Sequence, residues 1–215
     1  MRAALATWFA KGIAGYLPEI RCRLPVEADQ KQVYLTFDDG PTLDGTPRIL
    51  DVLDRLNVTA TFFLVGKNAV AHPSLVRAIQ QAGHTIGSHS HQHLDAWRAS
   101  AGAVMRDLTN GMRAIEDVIG SPVKWMRPPF GRITRAVVRW SRRNGQQILL
   151  WDILPADFSQ GTTRRRIVRQ LTAGLRAGSV ICLHDNAKAL RITPDALEIA
   201  LPQLLDAGWK FAPVK

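Results

Sequence analysis

The sequence predicts an α/β fold, a single domain built as an incomplete or distorted (β/α)7 barrel. Two observations carry this prediction. Strand-like apolar runs alternate with helix-like segments through most of the 215 residues, which is typical of a parallel sheet. Polar side chains also follow nearly every predicted strand, and the carboxyl ends of barrel strands converge on one face. Polar groups at so many strand ends therefore favour a barrel over an open sheet.

Each element of this fold has its own signal in the sequence. Apolar runs predict strands at about 33–38, 59–65, 84–88, 123–127, 147–152, 179–184 and 209–212. Helical segments lie between them, at about 47–56, 69–82, 100–119, 133–144, 163–176 and 194–207. Proline, which suits the first turn of a helix, stands at three predicted helix starts: Pro47, Pro73 and Pro194. Glycine follows four predicted helix ends, at Gly83, Gly145, Gly178 and Gly208.

Residues 1–30 are predicted to form an N-terminal arm ahead of the domain at 31–215. Apolar residues of the arm recur at helical spacing and indicate an amphipathic helix; they are Leu5, Trp8, Phe9, Ile13, Tyr16 and Leu17. Such a stripe fits a helix lying on a membrane surface or one packed against the domain. Lys11 interrupts the apolar start and no small-residue cleavage site follows, so a cleaved signal peptide is not expected. We expect a cytoplasmic protein or one peripheral to the membrane.

The net charge of +10 comes mainly from arginine. Two clusters stand out, namely Arg135, Arg139, Arg142 and Arg143, and then Arg164, Arg165, Arg166 and Arg169. This balance favours anionic partners, such as a phosphorylated or lipid-linked substrate or an acidic membrane surface. Ordinary solvated helix faces explain the clusters equally well. Nucleic acid is disfavoured, because no recognised reading motif accompanies the charge.

Two adjacent carboxylates, Asp38 and Asp39, end the first predicted strand. The apolar run 33–37 leads into them and Gly40-Pro41 stops the strand after them. A carboxylate beside a protein core is costly unless it has a partner. The pair therefore indicates a cation, a network of donors or a reaction.

The histidines at the end of the third strand suggest the cation. His89 and His93 are four residues apart, so one turn of helix or a helical loop would put both rings on one side. Two histidines and one aspartate are ligand types that zinc accepts, and three ligands leave a fourth position open, as in catalytic zinc sites. The alternative is a solvated, His-rich turn. His91 is expected near the ligands or in solvent, and His72 and His84 are expected to be structural.

Three further strands end in polar groups. Arg127-Pro128-Pro129-Phe130-Gly131 is a rigid turn that opens with a guanidinium, a group that can hold a carboxylate through paired hydrogen bonds. The segment 151–158 carries Asp157, and His184-Asp185 follows the sixth strand. Each has a structural explanation by itself, as a salt bridge, a cap or a hydrogen-bonded histidine. Polar groups on five strand ends of one chain instead indicate a shared site.

These motifs resemble, in order, the five motifs of the polysaccharide deacetylases of carbohydrate esterase family 4. Thr36 to Pro41, His89 to His93 and Arg127 to Gly131 match the first three without a gap. The resemblance runs from about residue 30 to 213, so residues 31–215 are expected to be the catalytic domain. The family fold, an incomplete (β/α)7 barrel, agrees with the elements given above.

The resemblance implies a role for each matched residue. Asp38 resembles the catalytic base, and Asp39, His89 and His93 resemble the ligands of a divalent metal. Zn²⁺ is the favoured ion, with Co²⁺, Ni²⁺ and Mn²⁺ left open. Arg127 resembles the residue that holds the base, the Phe130 backbone amide resembles the oxyanion donor, and His184 resembles the general acid, oriented by Asp157.

Two positions depart from the family pattern. The fourth motif usually ends in Asp-Trp, but here it is Asp157-Phe158, and Cys182 stands where the fifth motif usually has leucine. Both positions resemble walls of the acyl pocket, to which we also assign Pro129. Because both replacements are smaller, we expect a roomier pocket that leaves formyl, acetyl and longer acyl groups open.

The implied function is a metal-dependent hydrolase that removes an N-acetyl group from an amino-sugar glycan, oligosaccharide or glycolipid by means of metal-activated water. A deformylase or deacylase of a lipid-linked amino sugar at the membrane face is the main alternative. A non-catalytic glycan- or membrane-binding relative is disfavoured, because binding alone requires neither an acid nor a base.

Overall fold

A parallel sheet forms the centre of the molecule, which a computed structural model describes over residues 19–27 and 29–215. Its strands are β1 (Ile20–Arg21), β2 (Gln32–Asp38), β3 (Thr61–Leu64), β4 (Thr85–Ser88), β5 (Trp125–Met126), β6 (Gln147–Leu149), β7 (Val180–His184) and β8 (Lys210–Phe211). Seven are hydrogen-bonded in the order β1-β6-β5-β4-β3-β2-β7, and β8 pairs with the start of β2. Every pairing between these strands is parallel.

The sheet curves through a half-barrel and is closed irregularly. Among the described residues no ladder joins β1 to β7, the two ends of the sheet; two isolated bridges, at β7 and just before it, lie there instead. Arg23, just after β1, bridges to Ser179, and Ile153, after β6, bridges to Ile181 of β7. This closure confirms the predicted incomplete or distorted (β/α)7 barrel in a single α/β domain.

Helices cover the outside of the sheet. They are α1 (Gly45–Arg55), α2 (Gly66–Ala71), α3 (Pro73–Gln81), α4 (Ala101–Ile119), α5 (Arg135–Arg143), α6 (Arg164–Ala173) and α7 (Thr193–Asp206). Three of them begin at a side chain that accepts a backbone N–H of the first turn, namely Ser100, Thr134 and Thr163. Such caps satisfy donors that the helix itself leaves unpaired.

The helix predicted at 69–82 is wrong in one respect, because it is two helices. The chain breaks at His72, which ends α2 and precedes α3 with φ −131° and ψ 59°. The next residue is Pro73, and the residue before a proline is sterically excluded from the helical region. Proline therefore stands at a helix start as predicted, but it also ends the preceding helix.

Strand β1 lies within the segment predicted to be an arm. Ile20 is buried, and the register pairs it with Ile148 of β6. A two-residue strand is too short to give a periodic signal in the sequence. The amphipathic stripe from Leu5 to Leu17 lies outside the described residues. Within the described ranges, no helix combines the length and apolarity of a membrane span.

The side chains of β2 alternate between the two faces of the sheet, and the polar ones face the interior. Leu35 and Phe37 pack in the cluster formed with the outer helices, while Tyr34 packs in the second cluster with Cys182 of β7. Since successive strand residues point to opposite faces, Thr36 and Asp38 share the inner face with Tyr34. The end of β2 therefore delivers Asp38 to the interior at the mouth of the half-barrel.

Candidate active site

The carboxyl ends of four parallel strands meet at one site. Asp38 ends β2, His89 follows β4, Arg127 follows β5 and His184 ends β7. In the β2–β7 register Asp38 lies directly opposite His184. The strand ends singled out in the sequence thus come together, as expected for the carboxyl face of a barrel.

The side chain of Arg127 holds Asp38 in place from the buried interior. Its guanidinium is fully buried and donates to Asp38 Oδ1 at 2.6 Å, to Thr36 Oγ1 at 2.8 Å and to the carbonyls of Leu149 and Leu150 at 2.8 and 3.0 Å. It also lies 4.2 Å over the ring of Phe63. A buried cation with this many acceptors is held in one position, and it fixes the direction of the Asp38 side chain.

Asp39, His89 and His93 form a compact group of potential ligands. Asp39 Oδ1 lies 3.5 Å from His89 Nε2 and 3.2 Å from His93 Nε2, and one ligand atom from each residue lies within 4.8 Å of the others. Asp39 Oδ1 is buried without a hydrogen-bond partner among the described residues. His89 Nδ1 lies 2.7 Å from the carbonyl oxygen of Arg127, to which it can only donate, so its Nε2 carries the lone pair. An orphaned carboxylate oxygen facing such a nitrogen fits a divalent cation.

The electrostatics of this group suit a cation as well. Burial lowers the pKa of His89 to about 4, so its ring is neutral at ordinary pH. Burial works in the opposite direction on Asp39, but the imidazoles of His93 and His89 hold the pKa of its carboxyl well below the usual range. A neutral imidazole and an ionised carboxylate are the forms in which these residues bind metal.

Asn186 is a member of this site that sequence reasoning missed. Its amide donates to Asp39 Oδ2 at 2.6 Å, which orients the carboxylate with Oδ1 toward the histidines. The motif around His184 ends before Asn186, so only the folded loop after β7 shows this contact.

The segment 89–93 is an irregular loop, whereas the spacing predicted one turn of helix or a helical loop. Ser90 and His93 have positive φ angles of 63° and 58°, which a right-handed helix does not allow. The loop is held from α4, where the Asp107 carboxylate accepts the backbone N–H of Gln92 at 2.8 Å and of Leu94 at 3.3 Å. Asp107 is buried and carried no sequence signal.

His184 forms a hydrogen-bonded pair with Asp157. The ring Nδ1 lies 2.8 Å from Asp157 Oδ1, and the backbone N–H of His184 donates to Oδ2 at 2.8 Å. Thr193 also donates to Oδ2, at 2.8 Å. Burial by itself would lower the pKa of His184, but the carboxylate of Asp157, with those of Asp38 and Asp39, raises it to about 9. The ring is therefore an imidazolium at neutral pH.

Residues assigned to the acyl pocket surround these groups. The ring of Phe158 contacts His184 edge-on, with centroids 4.8 Å apart. Cys182 is buried, with its Sγ 3.4 Å from Asp38 Oδ2. Pro129 is buried in the turn whose next residue, Phe130, has a φ of 60° and a ring edge-on to His93 at 4.6 Å. Phe158, Cys182 and the Phe130 ring thus lie against the residues predicted as acid, base and ligand.

Asp185 is a third residue whose role the sequence did not show. It is fully buried, and its Oδ2 accepts a hydrogen bond from Thr46 at 2.5 Å while its Oδ1 has no partner among the described residues. A Cβ on Gly40 would lie 2.1 Å from Oδ2, so this glycine is required where the loop after Asp39 crosses the carboxyl group. Burial raises the pKa of Asp185 to about 7.

The remaining histidines lie outside the ligand group. His91 Nδ1 is buried without a partner among the described residues and would touch a Cβ placed on Gly66. His84 accepts the backbone N–H of Ala60 at 3.2 Å, in keeping with a structural role. The arginine face of α5 borders a groove of about 640 Å³ lined by residues between Ile133 and Arg143, and none of the site residues lines it.

Comparisons with known proteins agree with this geometry. A family model described as "Polysaccharide deacetylase" matches residues 26–149. The chain is 33% identical to a peptidoglycan-N-acetylglucosamine deacetylase of Bacillus cereus over 184 residues, which is 85% of this chain and 66% of that protein. It therefore spans just under two thirds of that relative.

Two further relatives match nearly end to end. A chitooligosaccharide deacetylase of a Bradyrhizobium species is 32% identical, with 86% of this chain and 89% of that protein covered. The crystal structure of the Bc1960 peptidoglycan N-acetylglucosamine deacetylase superposes with a TM-score of 0.85 at 31% identity, covering 91% of both chains.

Proposed function

The chain belongs to the polysaccharide deacetylase family, and we propose that it is a metal-dependent hydrolase that removes an N-acetyl group from an amino-sugar glycan or oligosaccharide. One observation carries the proposal. Two adjacent aspartates have different partners: Asp39 Oδ1 faces two histidines, whereas Asp38 is bound by a buried arginine. One carboxylate is thus available as a metal ligand and the other as a base.

Asp39, His89 and His93 would hold the divalent cation, and zinc is the ion we propose. Two imidazoles and one carboxylate form a donor set common in catalytic zinc sites, and Co²⁺, Ni²⁺ and Mn²⁺ also accept these ligands. When bound, the cation would polarise the acyl carbonyl and make an attacking water more acidic.

Asp38 acts as the general base in this proposal. Its Oδ1 is held by Arg127 at 2.6 Å, and Oδ2, which otherwise accepts only the weak hydrogen bond of the Cys182 thiol at 3.4 Å, is the oxygen that we assign to accept the proton of the attacking water. The guanidinium fixes the direction of the carboxylate, so the base is already oriented when substrate binds.

His184 acts as the general acid. An amine leaves a tetrahedral centre poorly unless it is protonated, and His184 holds a proton because Asp157 raises the pKa of the imidazole. With Nδ1 on Asp157, the other ring nitrogen is left to donate. We assign the Phe130 backbone N–H to the developing oxyanion. Phe130 has a positive φ, which turns the backbone at the mouth of the site.

Phe158, Cys182 and Pro129 form the proposed acyl pocket. Phe158 lies against the acid His184, and Cys182 lies against the base Asp38. An acyl group between acid and base would therefore contact both side chains. The pocket supports acetyl, with formyl and longer acyl groups as alternatives to be compared.

The relatives support N-acetylated glycans as substrates, since they are named for peptidoglycan and chitooligosaccharides. A lipid-linked or anionic amino sugar at the membrane face remains the alternative suggested by the arginine clusters. A non-catalytic relative is disfavoured, because the acid, the base and their buried partners Asp157 and Arg127 all occur together.

The test is release of acetate or formate from a panel of N-acetyl and N-formyl amino sugars, free, oligomeric and lipid-linked. The protein is stripped of metal, assayed, and assayed again after addition of one equivalent of Zn²⁺, Co²⁺, Ni²⁺ or Mn²⁺. We expect activity to require metal and to fall about 10²- to 10⁴-fold in Asp38→Asn, with the first equivalent of metal still bound. Full activity of Asp38→Asn on the best substrate would overturn the assignment of the base.

A further inference from the structure

A second group of potential ligands lies beside the first and shares none of its residues. Asp38, Cys182 and His184 each offer one ligand atom within 4.8 Å of the other two. The group follows from strand register: β7 runs parallel to β2, with Cys182 opposite Thr36 and His184 opposite Asp38. Because Cys182 and His184 are two residues apart on one strand, they share its face.

The thiol and the carboxylate are already spaced as ligands of one ion. Zinc bonds of about 2.0 Å to oxygen and about 2.3 Å to sulfur, set at the tetrahedral angle, separate the two atoms by about 3.5 Å. Cys182 Sγ lies 3.4 Å from Asp38 Oδ2. The thiol now donates a hydrogen bond to this oxygen, and an ion that replaces the thiol proton could bridge the pair at nearly the same separation, while Arg127 continues to hold Oδ1.

His184 has the arrangement of a metal-ligating histidine. One ring nitrogen, Nδ1, lies 2.8 Å from the Asp157 carboxylate, and carboxylate partners of this kind orient histidines that bind metal through the other nitrogen. Asp157 is itself held by Thr193 at 2.8 Å. The ring is thus fixed, and Nε2 is the nitrogen that Asp157 does not occupy.

We infer that Asp38, Cys182 and His184 form a second, inhibitory metal site that accepts a soft or borderline divalent ion such as Cd²⁺ or excess Zn²⁺. The donor set of one sulfur, one nitrogen and one oxygen selects such ions over Mg²⁺ or Ca²⁺. On binding, the Cys182 thiol and the imidazolium each release a proton to solvent, and the sulfur and nitrogen lone pairs coordinate the ion.

The consequence for activity rests on the proposed function. An ion at this site uses both the base Asp38 and the acid His184, so neither can transfer a proton. Activity should therefore rise as the first equivalent of metal fills the Asp39 group and fall when excess metal fills the Cys182 group.

Binding is tested with Cd²⁺ alone, added to the metal-free protein. The wild type should bind two equivalents, and the second should produce the near-ultraviolet charge-transfer absorption of a sulfur–cadmium bond. Cys182→Ala and Cys182→Ser should bind one equivalent without that absorption. Cys22→Ala, which removes the chain's other cysteine, is the matched control and should retain both. Circular dichroism shows that each variant is folded.

One equivalent in the wild type, or a charge-transfer band that survives in both Cys182 variants, would overturn the inference. In the activity arm, each protein is compared with its own rate at one equivalent of Zn²⁺. Excess Zn²⁺ should inhibit the wild type at least about tenfold more than Cys182→Ala; equal inhibition contradicts the inhibitory role. If no N-acyl sugar is cleaved at all, the proposed function fails, while the cadmium titration still decides the site.

Discussion

Asp157→Asn tests the proposed acid directly, because it changes the charge beside His184 and little else. Asparagine has nearly the same size, and its side-chain oxygen can still accept one of the hydrogen bonds that Asp157 receives from the His184 backbone and from Thr193. What it removes is the negative charge 2.8 Å from His184 Nδ1. Burial lowers the pKa of this histidine while Asp38 and Asp39 still raise it, so the loss of the Asp157 charge should move it from about 9 toward its ordinary value of 6.5.

The size of the effect follows from the fraction of His184 that holds a proton. At pH 8, a pKa of about 9 leaves the acid about nine-tenths protonated, whereas a pKa of about 6.5 leaves about 3%. The variant should therefore lose about 30-fold in kcat at pH 8 and much less at pH 6. A bound cation lowers the pKa of His184 in both proteins alike. The pH profile therefore measures the difference in this pKa between wild type and variant.

The assay is the pH dependence of kcat for acetate release, recorded between pH 5 and 10 for wild type and variant. Thr193→Val serves as the matched control, because it removes a donor from the same carboxylate and leaves its charge. In that control the alkaline limb of the kcat profile should stay in place or move slightly to higher pH. An alkaline limb that stays in place in Asp157→Asn would refute the assignment of His184 as the proton donor held by Asp157.

Three other predictions concern the pocket, the ligands and the loop after β2. Phe158→Trp combined with Cys182→Leu should lower the ratio of propionyl to acetyl release about tenfold, because larger walls exclude a longer acyl group; an unchanged ratio on matched sugars would show that these residues do not bound the pocket. Asn186→Ala should weaken Zn²⁺ binding about 10- to 100-fold in competition with a chelator, and affinity equal to wild type would show that Asp39 needs no such support. Asp185→Asn should be more stable than wild type at pH 8 and not at pH 4. The raised pKa of Asp185 makes the folded wild type lose stability as pH rises from about 4 through about 7, and the variant lacks this ionisation. Thermal denaturation at both pH values measures the difference, and equal shifts in Tm would contradict it.

Much of the candidate site could be predicted because its chemistry is local in sequence. Asp38 and Asp39 follow an apolar run directly, and His184 ends another, so the position of each side chain follows from the strand that carries it. The barrel then brings the strand ends together. The family resemblance supplied the roles, which the spacing of residues alone does not determine.

The parts that could not be predicted depend on contacts between distant segments. Asp107 holds the histidine loop from the middle of α4, and Asn186 reaches Asp39 across 147 positions of sequence. Neither residue is unusual in its own segment. The helical geometry predicted at 89–93 is wrong for a related reason. An irregular loop can also bring residues i and i+4 together, as it does here because Ser90 and His93 adopt positive φ.

The different proposed roles of Asp38, as base, and Asp39, as metal ligand, depend on where β2 ends. Within a strand, adjacent side chains point to opposite faces, so a longer β2 would have sent Asp39 toward the outer helices. Instead Asp39 leaves the strand with φ 81°, while Asp38 keeps its pairing to β3 and β7. Two carboxylates one residue apart therefore have different neighbours, an arginine for one and two histidines for the other. Because Gly40 is the position where this loop crosses Asp185, a larger residue there would displace Asp39 from the histidines before it disturbed Asp38, and metal affinity should fall before the protein unfolds.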